Sequence, residues 1–176
     1  MKKVVYLGLG SNLKDRKAQI DSAITRLGEL GKILAVSSYY ETEPMDVARQ
    51  PWFLNCAVAL ETELMPKQLL AAVLDIEQSM GRRRTQPKGP RIIDIDILLF
   101  GNSVLNAPGL GIPHPRMQER RFVLEPLAEI APQARHPVLK KTIAELRDAL
   151  GTAGGQVRRI NASAVAGARA SSKKQP

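Results

Sequence analysis

Apolar residues along the chain alternate with polar ones, or recur at helical spacing, in the order strand, helix, strand, strand, helix, strand. Lys3 to Leu9 predicts a first strand. Gly8-Leu9-Gly10-Ser11-Asn12 is not a dinucleotide fingerprint, because Leu13 stands where its third glycine would be. Ser11 or Asn12 is expected to end the strand and cap a helix over residues 15–30, whose apolar face is Ile20, Ala23, Ile24, Leu27 and Leu30. Lys32 to Tyr40 predicts a second strand. Residues 41–51 form a loop bounded by prolines, of a length that is often functional in a compact domain. Trp52 to Glu63 predicts a third strand with Phe53, Asn55, Ala57 and Ala59 on one face. Pro66 to Met80 predicts a second helix, opened by a proline and closed by Gly81.

The fourth strand is the most informative stretch: Gly89-Pro90-Arg91-Ile92-Ile93-Asp94-Ile95-Asp96-Ile97-Leu98-Leu99-Phe100. Alternate residues of a strand face opposite ways, so Ile93, Ile95, Ile97 and Leu99 are expected on one face and Asp94 and Asp96 on the other. The two aspartate Cα atoms would then be roughly 6.5–7 Å apart. Adjacent carboxylates repel, so one should have a raised pKa unless a cation joins them. The preceding run, Arg82 to Arg91, is strongly basic and reads as an exposed loop with little to hold it down without an anion. Hard oxygen ligands suit Mg²⁺, and guanidinium groups suit phosphate. The bland alternative is a solvated strand face beside a solvated loop; the arginines favour metal-assisted phosphoryl chemistry.

The order βαββαβ predicts an α+β, ferredoxin-like fold, an antiparallel sheet with its helices on one face. The other sheet face would be left for a ligand. After Phe100 the chain is turn-rich, with a short hairpin before Gly111, then helical stretches near 117–121, 122–131 and 142–150. These are extra C-terminal helices on the core pattern. Residues 1–150 read as one domain, and 151–176, rich in Ala, Gly, Ser and basic residues, as a flexible basic tail.

Charge sharpens this picture. The chain has 176 residues and a formal net charge of +9. Five basic residues and no acid lie in 151–176, which leaves the body at only +4, its excess near the 82–91 loop. A focused basic loop suits a small anionic ligand better than nucleic acid. No apolar run is long enough for a membrane helix. The single Cys56 excludes an intramolecular disulfide framework. A cytoplasmic location is the default expectation.

Three stretches then form an ordered set: Thr42 to Asp46 with Trp52-Phe53-Leu54-Asn55, Pro90-Arg91-x-x-Asp94-x-Asp96, and Pro113-His114-Pro115-Arg116-Met117-x-x-Arg120-x-Phe122. The set resembles the 6-hydroxymethyl-7,8-dihydropterin pyrophosphokinases of folate synthesis, over residues 4–150. The resemblance implies transfer of a whole diphosphate from ATP to a pterin hydroxymethyl group, releasing AMP. It implies two Mg²⁺ ions on Asp94 and Asp96, and a catalytic set of Arg82, Arg91, Asp94 and Asp96. It implies ATP contacts from Arg82, Arg84, Arg91, Ile97, His114, Arg116 and Arg120. It implies a pterin site of Thr42, Pro44, Met45, Phe53, Asn55, Asp94 and Phe122. Phe53 and Phe122 would stack on the heterocycle, and the Asn55 amide would meet its amide-like edge. Glu77 matches a helix position near the substrate, although pattern alone makes it a solvated helix residue. Lys88, with Pro87, stands where many relatives carry an Arg-aromatic pair. His136 has no motif around it and reads as structural. The expected partners are the two small substrates, with no membrane and no nucleic acid, and the expected state is a monomer. The rival reading is an RNA-binding module of the same βαββαβ order, which would need exposed aromatics on its central strands.

Overall fold

The computed structural model describes residues 1–44, 49–83 and 88–160. Its main sheet contains β1 (Lys3–Ser11), β2 (Lys32–Val36), β3 (Tyr40–Thr42), β4 (Phe53–Thr62), β5 (Asp94–Phe100) and β8 (Val157–Arg159), and a separate hairpin joins β6 (Leu105–Ala107) to β7 (Leu110–Ile112). The sheet runs β5-β1-β4-β3-β8, with β2 also paired to β4. Every pairing is antiparallel. Helices α1 (Arg16–Leu27) and α2 (Pro66–Ser79) lie between the strands in chain order; α3 (Arg121–Ile130) and α4 (Ile143–Leu150) follow the hairpin. The ferredoxin-like arrangement expected from the sequence is therefore present.

Alternation makes the core. Val5, Leu7 and Leu9 of β1, Leu54, Val58 and Leu60 of β4, and Ile95 and Ile97 of β5 meet Ile20, Leu27, Leu69 and Val73 of α1 and α2. The opposite face carries a second cluster, in which Ala57, Leu98 and Leu99 are covered by Val123, Leu124 and Leu127 of α3 and Ile143 and Leu146 of α4. So the expectation of an open second face holds for only part of it: α3 and α4 roof one end.

Several boundaries differ from those read in the sequence, each for a local reason. β1 runs on to Ser11, and the cap of α1 is Asp15, whose carboxylate accepts from the Ala18 N–H at 3.1 Å. The expected second strand is split at Ser37, which keeps the ladder going in a different way: its N–H donates to Ala57 O (2.9 Å) and its hydroxyl accepts from Ala57 N–H (2.9 Å). In β5 the register slips: Leu7 stands opposite Ile97 but Tyr6 opposite Leu99, leaving Leu98 as the extra residue of a bulge. Leu99 therefore joins the second cluster, not the isoleucines, and Phe100 takes the helix-side place. The expected flexible tail meets a strand: β8 extends the edge of β3. Residues 161–176 lie outside the described set. No helix among the described residues is long and apolar enough to cross a membrane.

Candidate active site

The uncovered end of the second face is a cleft of about 770 Å³, its open mouth included, between β3, β4, β5 and the start of α3. Its floor has a simple origin. Asp94 pairs with Gly10 across the strands and Asp96 with Gly8. Neither neighbour carries a side chain, so β1 leaves room beside both carboxylates. At Gly10 the need is strict: a Cβ there would lie 2.5 Å from Asn55 Oδ1.

The two aspartates meet different surroundings. Asp94 is held by Arg82 at 2.6 Å and Arg91 at 3.3 Å. Asp96 lacks such a direct pair among the described ion pairs; burial and then the charge of Asp94 push its pKa up to about 7, against the pull of Arg120 and Arg91. The expected split of a carboxylate pair is thus present, with the cations on one member and the raised pKa on the other.

Arg82 and Glu77 correct the sequence reading. Arg82 is not an exposed loop residue; its side chain is 12% exposed and bridges Asp94 and Glu77, both at 2.6 Å. Glu77 is not a solvated helix residue but a buried one. Its Oε1 accepts the Ile95 N–H (2.9 Å), tying α2 to the outer edge of β5, while its other oxygen takes Arg82. Burial raises the Glu77 pKa, opposed by that N–H and by Arg82. The basic loop is anchored at its far end as well. The Asn12 N–H donates to Arg91 O (3.1 Å) and the Arg91 N–H to Asn12 Oδ1 (2.8 Å), while Asn12 Nδ2 reaches Gln50 Oε1 (2.9 Å) and Pro51 O (3.0 Å). Asn12 was read as a helix cap; it is instead a buried clamp on three loops, a role that no local pattern reveals.

Opposite the charges lies an aromatic slot. Arg91 sits over the Phe53 ring, 5.4 Å from its centroid, and Arg120 over Phe122 at 5.6 Å. Asn55 Nδ2 donates to Thr42 Oγ1 at 2.6 Å, both residues being buried. Thr42, Phe53, Asn55, Lys88, Arg91, Asp94, Arg116, Arg120 and Phe122 all line the cleft, joined by Glu43, Gln50 and Glu119, which the sequence reading did not select. Pro44 follows Glu43 just outside this lining. Met45 and Arg84 lie outside the described residues. The Ile97 side chain is in the helix-side core, so only its main chain can meet a ligand. That main chain turns towards the same outer edge as the Ile95 N–H, two residues away.

His114 follows the cis Ile112–Pro113 bond and is tied to β5 by its N–H on Leu98 O (2.9 Å). Its Nδ1 accepts the Arg116 N–H at 3.2 Å. Burial, then the charge of Arg120, lowers its pKa to about 4. The ring is therefore neutral near pH 7 with its proton on Nε2. His136 is structural, as read: its Nδ1 accepts from Val138 N (3.3 Å) and Leu139 N (3.0 Å).

A divalent cation fits this donor set. Two hard carboxylates stand two positions apart on one strand face, and the described residues hold no cluster of three or more metal-ligating side chains. The protein would supply two ligands and leave the rest to phosphate and water, as suits Mg²⁺. The RNA-module reading finds no support, because this face carries carboxylates and is partly roofed by α3.

The chain is 46% identical over 135 residues to the 2-amino-4-hydroxy-6-hydroxymethyldihydropteridine pyrophosphokinase of Pseudomonas aeruginosa, covering 76% of this chain and 83% of that one. It is 44% identical over 154 residues to the folic acid synthesis protein fol1 of Schizosaccharomyces pombe, 86% of this chain but only 21% of that much longer protein. Among solved structures, Plasmodium falciparum HPPK-DHPS with pterin and p-hydroxybenzoate superposes with a TM-score of 0.68 at 20% identity, over 85% of this chain and 42% of that one, a likeness of fold. A family model covers residues 6–132, and with it the cleft described above: the chain belongs to the 7,8-dihydro-6-hydroxymethylpterin-pyrophosphokinase (HPPK) family.

Proposed function

We propose that this chain transfers an intact diphosphate from ATP to the hydroxymethyl group of 6-hydroxymethyl-7,8-dihydropterin. The hydroxymethyl oxygen attacks the β-phosphorus, the bond from that phosphorus to the α–β bridging oxygen breaks, and AMP leaves. The observation that carries the reading is the junction at Asp94. One side of it is a slot between Phe53 and Phe122 with an amide at its end; the other is a cluster of cations.

The flat heterocycle would stack between Phe53 and Phe122. Asn55 would read its polar edge, with Thr42 fixing the amide's orientation. Pro44 would adjoin this side, and Met45, outside the described residues, keeps the pterin-binding role that the resemblance implies. On the nucleotide side, Arg82, Arg84, Arg91, Arg116 and Arg120 offer fixed positive charge, and neutral His114 offers an Nε2–H donor to a phosphate oxygen. The Ile97 main chain suits hydrogen bonds to a planar base at the sheet edge. Asp94 and Asp96 would hold two Mg²⁺ ions, which when bound polarise the phosphoryl oxygens and neutralise charge on the leaving group. Arg82 and Arg91, which compensate Asp94 in their absence, would then be available to phosphate. A working monomer and a cytoplasmic location go with this small-molecule substrate chemistry.

Phosphorus NMR of a mixture of enzyme, Mg²⁺, ATP and the pterin tests the reading. The expected products are AMP and a pterin diphosphate, in equal amounts and only when the pterin is present. Formation of ADP, or salt-sensitive RNA binding without turnover, would overturn it.

A further inference from the structure

The family match ends at residue 132, and β8 lies beyond it. This short strand touches both walls of the aromatic slot. On the β3 side, Val157 pairs with Thr42, Arg158 with Glu41 and Arg159 with Tyr40. The pairing continues past the strand at both ends: the Glu43 N–H donates to Gln156 O (3.2 Å), the Gln156 N–H to Glu43 Oε1 (3.0 Å), and the Ile160 N–H to Tyr39 O (2.8 Å). On the α3 side, Arg121 donates to Gly155 O at 3.3 Å, and Arg159 pairs with Glu129 at 3.0 Å. Gly154 lies so close to the start of α3 that a Cβ there would stand 3.1 Å from Glu119 O and 3.3 Å from Arg121 N. Thr42 and Glu43 line one wall of the cleft, and Glu119 and Phe122 the other.

α3 packs on β4 through Ala57, but its ties to β3 are fewer. β3 is three residues long and is paired on its inner side to β4. A strand this short, left as an edge, orders poorly. Glu129, near the far end of α3, ties the helix directly to this edge: it accepts from Ser38 N (2.5 Å) and from Tyr40 OH (3.0 Å), and Arg159 completes that cluster.

We propose that residues 154–160 are a strap that fixes the width of the pterin slot, so that affinity for the heterocycle depends on a segment that never touches it. The inference rests on the reading that Thr42, Asn55 and Phe122 hold a pterin. Most of the nucleotide side hangs on other anchors, Arg82 on Glu77 and Asp94, Arg91 on Asn12, and His114 on Leu98, while Arg120 adjoins the strap's contacts at Glu119 and Arg121. The strap should therefore act on one substrate and spare the other, whereas a merely structural segment would affect both.

The test uses the full chain with Arg158→Pro, Arg159→Ala and Arg159→Lys. The bonds at Gln156 and Ile160, two residues to either side, put the Arg158 N–H on the β3 side, so a proline there removes a ladder bond. Calorimetry measures binding of hydroxymethyldihydropterin beside a non-hydrolysable ATP analogue, and of the analogue alone. Hydrogen exchange follows residues 39–43. Arg158→Pro is expected to weaken pterin binding about tenfold, with the analogue's affinity within about twofold of wild type and faster exchange at 39–43. Arg159→Ala is expected to weaken pterin binding about threefold and Arg159→Lys to restore part of it. Faster exchange with unchanged pterin affinity overturns the strap, as does an equal loss for both ligands. If Arg158→Pro does not fold, the exposed Arg159 variants decide by the same criteria. A wild-type chain that binds no pterin overturns the functional reading itself, and the strap with it.

Discussion

On the helix-covered face of the sheet, Leu7 and Leu9 of β1 and Ile95 and Ile97 of β5 pack against α1 and α2 with almost no exposed surface. One residue along the same strands, Gly8 and Gly10 stand beside Asp96 and Asp94. The first face is large side chains in close contact, and the second is two charges next to two absent side chains. Strand alternation alone separates them. Folding free energy comes from the apolar face, so the charged face can hold repelling carboxylates and partly satisfied cations without the sheet giving way. The price is local, and three further contacts offset it: Arg82, Arg91 and the Glu77 cap on Ile95.

The sharpest way to break the contrast is to remove a carboxylate. Asp94→Ala or Asp96→Ala should cost on the order of 10³-fold or more in turnover, about 4 kcal/mol. The melting temperature should hold or rise for Asp96→Ala, because a repulsive group goes. Steady-state kinetics and a thermal melt check both halves; near-native turnover in saturating Mg²⁺ would contradict the metal assignment. The converse is Leu7→Ala on the apolar face. It should lower stability by about 3 kcal/mol through lost transfer energy and a cavity, while turnover per folded molecule stays near wild type. Denaturant melts beside active-site titration would show it.

Arg82→Ala crosses the divide. It leaves Glu77 and Asp94 without their shared cation, so it should cost about 2 kcal/mol of stability as well as rate. A variant with unchanged stability would mean that the arginine is idle before substrate arrives. The smallest effect is in pH. Asp96 has its folded pKa raised to about 7 from an ordinary 3.8, so its contribution is fully present below about pH 4 and is lost as pH rises to about 7. Without divalent cation, stability should fall over that window, and Asp96→Asn should flatten the profile. Urea melts at a series of pH values measure this, and a profile that rises through the window would exclude it.

Most of the fold was legible because periodicity carries it. The apolar stripes of α1 and α2 and the alternation at Asp94 to Ile97 fix which residues face inward. The slot was legible through the ordered motifs that carry the family resemblance: Phe53, Asn55, Asp94 and Phe122 all line or floor it. What escaped depends on contacts distant in sequence. Glu77 looks like a surface helix residue until Ile95 and Arg82 are placed beside it. Asn12 looks like a cap until three loops converge on it. β8 has no periodicity, and its strand character comes from the edge of β3 that it joins.

The extra residue at Leu98 amounts to a change of reading frame within β5. Before it, odd-numbered positions face the helices and even ones face the cleft; after it, the assignment is reversed. One seven-residue strand thereby delivers acids to the cleft from its first half and apolar packing beneath α3 from its second. Excising Leu98 would join Ile97 directly to Leu99 and restore one unbroken alternation, with Leu99 still opposite Tyr6 and Phe100 still opposite Val5. The roof over the second face would lose one of the two β5 leucines it now covers, while Asp94, Asp96 and Phe100 kept their stations.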